Sequence, residues 1–295
     1  MNGGRTMSPG IARWTAMMIA RYGNVGVDAS TFVPYHRQAE EMLAGVRNHD
    51  VKNILDVGSG EGLMMAHLLD AFPDAHITGT EPDMQRMFQT AVWLGEAADE
   101  NRWSLMGEAL PSLESIDDAS MDLVTSRAVL AYVDDTGTSL DEIARVLRRG
   151  GHFTALEPLH GHALRQYPQS WMGVSLVEAG EAGLRLLRHL FPNGPATYLD
   201  RAPARFAVSD IERLYGDEHW QDVRIVPHIV EHRIHASPDL LLVQAPFDGA
   251  PSIASILNVL PDDERTSIIA HIRACCERGD VIRTEAVVKV EATRR

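Results

Sequence analysis

Gly58, Gly60 and Gly62 stand at alternate positions directly after the run Ile54, Leu55, Asp56 and Val57. Glycine reaches left-handed dihedrals and lets a ligand approach the backbone, so a glycine turn between a strand and a helix can cradle a nucleotide. The spacing is G-x-G-x-G, not the G-x-G-x-x-G that aims a helix at a pyrophosphate. Glu81 follows roughly twenty residues later, and its two oxygens suit the two vicinal hydroxyls of a ribose. Met84, just beyond, could pack against a base. Farther along, Glu157, His160 and His162 gather behind a predicted strand. A histidine titrating near neutrality can take a proton from a hydroxyl or an amine.

These residues need elements to hold them in place. From about 50 to 158 the chain alternates strand and helix patterns, which implies a parallel sheet with right-handed crossovers. A leader of residues 1–49 precedes this core, with helical spacing from Ile11 to Ala20 and again from about Phe32 to Val46. Residues 159–208 read as an inserted cap and 209–236 as a return to the core. Residues 237–280 read as a second insertion and 281–295 as the last core strand and tail. Ser139 and Glu142 have the spacing of a capping box for a helix over about 139–148. Pro227 argues that the strand over Val223–Ile234 has an edge position or a bulge.

In this order the motifs resemble those of class I S-adenosylmethionine-dependent methyltransferases. The match covers residues 53–157: the glycine turn, the acid of the second strand, Gly107-Glu108-Ala109, the strand from Ser120 to Arg127, and the turn Gly150-Gly151. The resemblance implies a Rossmann-like α/β sheet of seven strands in the order 3-2-1-4-5-7-6, with the last strand antiparallel. It implies S-adenosylmethionine as cofactor and S-adenosylhomocysteine as product. By the same likeness Asp56, Gly58, Ser59, Gly60, Gly62, Glu81, Pro82, Met84, Glu108, Ala109 and Arg127 would hold the cofactor. Glu108 departs from the aspartate more common in that loop. Tyr132 lies where relatives place a polar side chain near the methyl group. Tyr22 and Tyr35 lie in a leader that in such proteins covers the cofactor and reaches the substrate.

The expected reaction is methyl transfer to an O, N or C nucleophile of a small molecule, of the kind met in quinone and secondary-metabolite methylation. His160 or His162 would serve as base where one is needed, with Tyr132 next in line. The cap aromatics, Trp171 and Phe247 among them, favour an apolar or aromatic acceptor. Arg165, Arg185, Arg188, Arg201 and Arg205 keep an acidic acceptor open. Two other readings stand beside this one: a protein that binds the cofactor without transferring methyl groups, and a nicotinamide-dependent oxidoreductase, against which the glycine spacing counts.

Lys and Arg number 27 against 41 Asp and Glu, a formal charge of −14, which disfavours a nucleic-acid partner because phosphate backbones need clustered positive charge. The adjacent pair Cys275 and Cys276 offers no framework of spaced bridges, so a reducing, cytoplasmic setting is expected. No apolar run approaches membrane-spanning length, and no secretory segment is legible at the start. His228, His232 and His235 do not converge on one ion when set on a strand, and no metal is expected. The sequence leaves homo-oligomerisation open.

Overall fold

The structure is a computed structural model that describes residues 7–22, 27–245 and 250–295, with the side chain of Tyr22 outside that set. Phe247 therefore lies outside the described residues. Seven strands form one mixed sheet: β1 (Asn53–Val57), β2 (His76–Thr80), β3 (Trp103–Met106), β4 (Met121–Arg127), β5 (Leu147–Pro158), β6 (Trp220–Ile234) and β7 (Val281–Arg294). Their spatial order is β3-β2-β1-β4-β5-β7-β6. The first five run parallel and β7 is antiparallel to both neighbours, with Ala155 opposite Val290 and Ile225 opposite Val290. This is the Rossmann-like methyltransferase sheet expected from the motif order. Pro227 lies in the edge strand β6, where its missing N–H forfeits no inner ladder bond.

The strands at the sheet centre are apolar because both faces are covered. Helices α1 (Pro9–Tyr22), α2 (Ala29–Leu43), α3 (Leu63–Ala71) and α4 (Met84–Ala97) take part in the core on one face, where Trp14, Met42, Met65, Leu68 and Leu94 are buried with Ile54 and Ile77. Helix α5 (Thr136–Val146) buries Leu140, Ile143 and Ala144 on the other. Its N-cap is Asp135, which accepts from the Thr138 backbone N–H at 3.1 Å, and not Ser139 as the capping-box spacing predicts. The helix starts a turn earlier than the capping-box spacing suggests, so Ser139 lies inside it and donates to the Asp135 carbonyl at 2.9 Å. Glu142 instead accepts from Leu113 N–H at 2.8 Å and pairs with Arg145, so Arg145 is a structural tie and not a solvated side chain.

The two insertions form one body. The first carries α6 (Gly161–Gln166), a two-residue hairpin at Ser170–Ser175, α7 (Gly180–Leu190) and α8 (Pro195–Leu199). The chain then passes through the short α9 (Ser209–Glu212) into β6. The second insertion carries α10 (Pro238–Val243), α11 (Ile253–Leu257) and α12 (Asp262–Arg278). Leu176, Leu186 and Leu190 from the first share a single core with Ile253, Ile268, Ile272 and Cys275 from the second. Helix α7 starts at Gly180, after the hairpin and a short 3-10 turn.

The leader is latched to the core by a buried histidine pair. Thr15 donates to the Ile11 carbonyl at 2.8 Å, so its oxygen accepts from His36 Nε2 at 2.9 Å. His36 Nδ1 is then an acceptor, filled by His67 Nε2 of α3 at 3.0 Å. Burial pushes the His67 pKa down to about 3, with the neighbouring His36, Arg47 and Arg127 acting the same way. The unfolded chain protonates this ring near pH 6.5 while the folded one refuses the proton until about 3, so its contribution is intact above 6.5 and is lost as pH falls. The slope is at most about 1.4 kcal/mol per pH unit. We predict that a His67→Gln protein, unfolded by urea at pH 7.5, 6 and 5, loses stability less steeply with acid than the parent; parallel curves would refute the assignment.

Candidate active site

The turn at Gly58–Gly62 joins β1 to α3 at the carboxyl end of the parallel strands, where ligands of open α/β sheets bind. All three glycines have left-handed backbone, with φ of +64°, +54° and +85°. Their surroundings differ. A Cβ on Gly58 would lie 2.4 Å from Val129 Cγ2, and one on Gly62 would lie 2.6 Å from Trp93 Cζ2. A Cβ on Gly60 would meet no atom within 4 Å. Two of these glycines are therefore demanded by packing, and the third faces open space that a ligand can fill.

The turn is tied from three sides. Glu81 accepts from Gly60 N–H at 3.0 Å and from Asp83 N–H at 2.9 Å. Thr90 donates to the Gly60 carbonyl at 2.9 Å, and the Trp93 indole donates to the Glu61 carbonyl at 3.0 Å. Both oxygens of Glu81 thus hold protein backbone first, a role that its acidity and position alone do not reveal, and each keeps further acceptor capacity. Pro82 and Met84 are exposed beside it, with Met84 at 67%.

Four buried atoms around the turn lack a hydrogen-bond partner: Asp56 Oδ2, Ser59 Oγ, Glu108 Oε2 and Arg127 Nε. A buried polar atom without a protein partner keeps its hydrogen-bonding capacity for a ligand or water, and these four are the ones that belong to the cofactor motifs. Asp56 keeps its other oxygen on Thr125 at 2.8 Å, and burial drives its pKa up to about 7, against the pull of that bond and of Arg127. Glu108 keeps its other oxygen on Ser115 N–H at 2.9 Å. Ala109 is exposed next to it. A carboxylate acceptor and a guanidinium donor on this side suit the ammonium and carboxylate of an amino acid, while Glu81 and Glu108 suit hydroxyl and amino donors. These residues fit S-adenosylmethionine.

Arg127 leaves the end of β4 beneath the leader. Its Nη2 donates to Gln38 at 3.0 Å, and its guanidinium lies 5.2 Å from the centre of the Tyr35 ring. Tyr35 accordingly stacks on Arg127 as part of the leader's cover. Glu157, fully buried at the end of β5, accepts from Ser126 at 3.0 Å and from the N–H groups of Val129 and Ala131 at 2.9 and 3.3 Å. Burial pushes its pKa up to about 7. It fixes the segment after β4, which presses Val129 onto Gly58 and presents Tyr132.

The Tyr132 hydroxyl lies 3.3 Å from His160 Nε2, with the two rings edge to face. His162, two residues on within α6, is not part of that pair. Trp171 is not on an open surface: it is buried against Phe191 and Tyr198 at ring separations of 5.5 and 5.7 Å, as core of the cap. Periodicity could not separate a buried cap aromatic from a pocket wall. His228 and His232 share one exposed face of β6, and His235 bonds the Cys276 carbonyl at 3.2 Å. Among the described residues no group of three or more His, Cys, Asp or Glu is placed to hold a metal.

Residues 55–155 match the family described as Methyltransferase domain. Residues 55–155 form a methyltransferase domain. Trans-aconitate 2-methyltransferase of Azoarcus sp. (strain BH72) is 29% identical over 147 residues, which span 46% of this chain and 52% of that protein. Ribosomal RNA small subunit methyltransferase G of Mycobacterium sp. (strain KMS) is 33% identical over 153 residues, 50% of this chain and 62% of that protein. The chain thus spans about half to three-fifths of the length of these curated relatives, whose names specify quite different acceptors. The YcgJ protein from Bacillus subtilis shares the fold, with a TM-score of 0.51 at 16% identity over 88% of this chain and 99% of that one.

Two measurements test the methyltransferase domain's cofactor site. Gly60→Ala should keep the fold nearly intact, at a backbone cost of about 1 kcal/mol, yet weaken S-adenosylhomocysteine binding in calorimetry at least tenfold, whereas Gly62→Ala should chiefly lower Tm. The reverse pattern would remove the ligand from the turn. Glu81→Gln should lose roughly 1.5–3 kcal/mol of cofactor affinity, about ten- to over a hundredfold, because an amide cannot accept from both Gly60 and Asp83. Unaltered affinity would assign the ribose to another residue.

Proposed function

We propose that this protein transfers a methyl group from S-adenosylmethionine to a small-molecule acceptor bound beside Tyr132 and His160. The observation that carries the reading is the placement of this pair. Tyr132 is three residues from Val129, which packs on Gly58 of the cofactor turn, and the intervening segment is pinned by Glu157. A phenol and an imidazole in hydrogen-bond reach can orient a nucleophile and receive its proton.

When bound, the cofactor supplies a methyl group on a sulfonium, a leaving group that needs no further activation. What remains for the chain is alignment and the exclusion of water. The cap lies on the side of His160, and the leader lies over Arg127; together they would close the site from two directions. His160 would hold the proton lost by a hydroxyl acceptor, and an amine acceptor would call on it less. The acidic balance of the chain disfavours nucleic acid, and a cytoplasmic protein acting on secondary metabolites or quinone-like molecules is the setting we propose.

A screen with methyl-labelled donor would first find an acceptor. His160→Ala and Tyr132→Phe should then bind S-adenosylhomocysteine as the parent does while turnover falls, by about a hundredfold for a working base, and His162→Ala should be milder. Full turnover in the His160 and Tyr132 variants from pH 6 to 9 would move the acceptor elsewhere.

A further inference from the structure

The structure sorts the five cap arginines into two groups. Arg185 pairs with Glu264 at 3.3 Å and Arg188 with Glu181 at 3.7 Å. Arg165, Arg201 and Arg205 form no ion pair among the described residues, although the chain carries 41 carboxylates against 27 cations and Asp200 and Asp210 lie near Arg201 and Arg205 in sequence. Arg165 donates one N–H to the Ala204 carbonyl at 3.3 Å and Arg205 one to the Asp134 carbonyl at 3.0 Å. Arg201 lies over the Tyr198 ring at 5.8 Å from its centre. All three are exposed.

Their contacts form a closed circuit around the proposed acceptor position. Tyr132 touches His160; Gly161 follows His160; Gly161 lies against Ala204 and Arg165; Arg205 follows Ala204 and returns to Asp134, two residues from Tyr132. Gly161 makes the approach feasible, since a Cβ there would stand 2.2 Å from the Ala204 oxygen and 2.8 Å from Arg165 Nη1. A guanidinium offers five donors, and the two that line this circuit each spend one on backbone, leaving a fork for an oxyanion.

Resting on the acceptor site argued above, we propose that the acceptor is an anion whose carboxylate or phosphate group is held by Arg165 and Arg205, with Arg201 at the rim. The net charge of the chain repels anions at a distance, so a local cluster spared from ion pairing is what an acidic acceptor requires. Selectivity for acids over their neutral derivatives follows from the same contacts.

Calorimetry on the protein with S-adenosylhomocysteine, at constant ionic strength, would use pyrophosphate and citrate as probes. Binding of either should weaken about tenfold or more in Arg165→Gln/Arg205→Gln and less than about twofold in Arg185→Gln/Arg188→Gln. Binding of pyrophosphate alone points to a phosphate-bearing acceptor, and of citrate alone to a carboxylate. Equal weakening in both double variants, or no binding of either anion to the parent, overturns the proposal. Should the first double variant fold poorly, Arg201→Gln and Arg165→Lys/Arg205→Lys serve, the former expected to weaken binding and the latter to retain most of it; the opposite order overturns the proposal. Anion binding that survives while no acid is ever methylated would sink the functional reading and leave the anion site standing.

Discussion

Three consecutive alternate residues with left-handed backbone are unstable by themselves, and the neighbours of Gly58–Gly62 hold them there. Glu81 fixes the Gly60 N–H, Thr90 the Gly60 carbonyl and Trp93 the Glu61 carbonyl. These partners come from the residue after β2 and from α4, so the cofactor turn depends on the β1–β2 pairing and the α4 packing. Glu81 is buried and makes two of these ties, one through each carboxyl oxygen. The same pinning leaves the Gly60 side open, so structural constraint and ligand access are two aspects of one arrangement.

A second level of organisation lies above the sheet. The leader is attached through the His36–His67 contact and through Arg127, whose guanidinium is covered by Tyr35 and bonded to Gln38. Arg127 also stands near Asp56 and Glu157, so one buried cation offsets two buried carboxylates whose pKa values are raised. No helix among the described residues is long and apolar enough to cross a membrane.

The similarity to known sequences and the chemistry of the acceptor part company along the chain. The family match ends at residue 155, before His160, the cap and the second insertion. The family model thus describes the part that holds the glycine turn, and the cap and the second insertion lie outside it. That cap draws a single core from two segments separated by β6, so its shape depends on the edge strands and its packing on both insertions.

The sheet order followed from the family resemblance of the motifs, and the glycine turn between a strand and a helix was legible in the sequence, because glycine spacing and alternating apolar runs are local patterns with few physical solutions. An edge position or a bulge for β6 was legible in one residue, Pro227, for the same reason. Local pattern could not decide contacts between distant segments. It placed the α5 cap at Ser139 where Asp135 wins, and set Trp171 on a pocket wall when Phe191 and Tyr198 enclose it. Nor could it choose between His160 and His162, since both follow β5 and only the return of the segment after β4 puts Tyr132 beside one of them. Which arginines are left without carboxylates is likewise a property of packing: ion pairing needs two side chains from remote parts of the chain to meet within about 4 Å, and composition reports only that both exist.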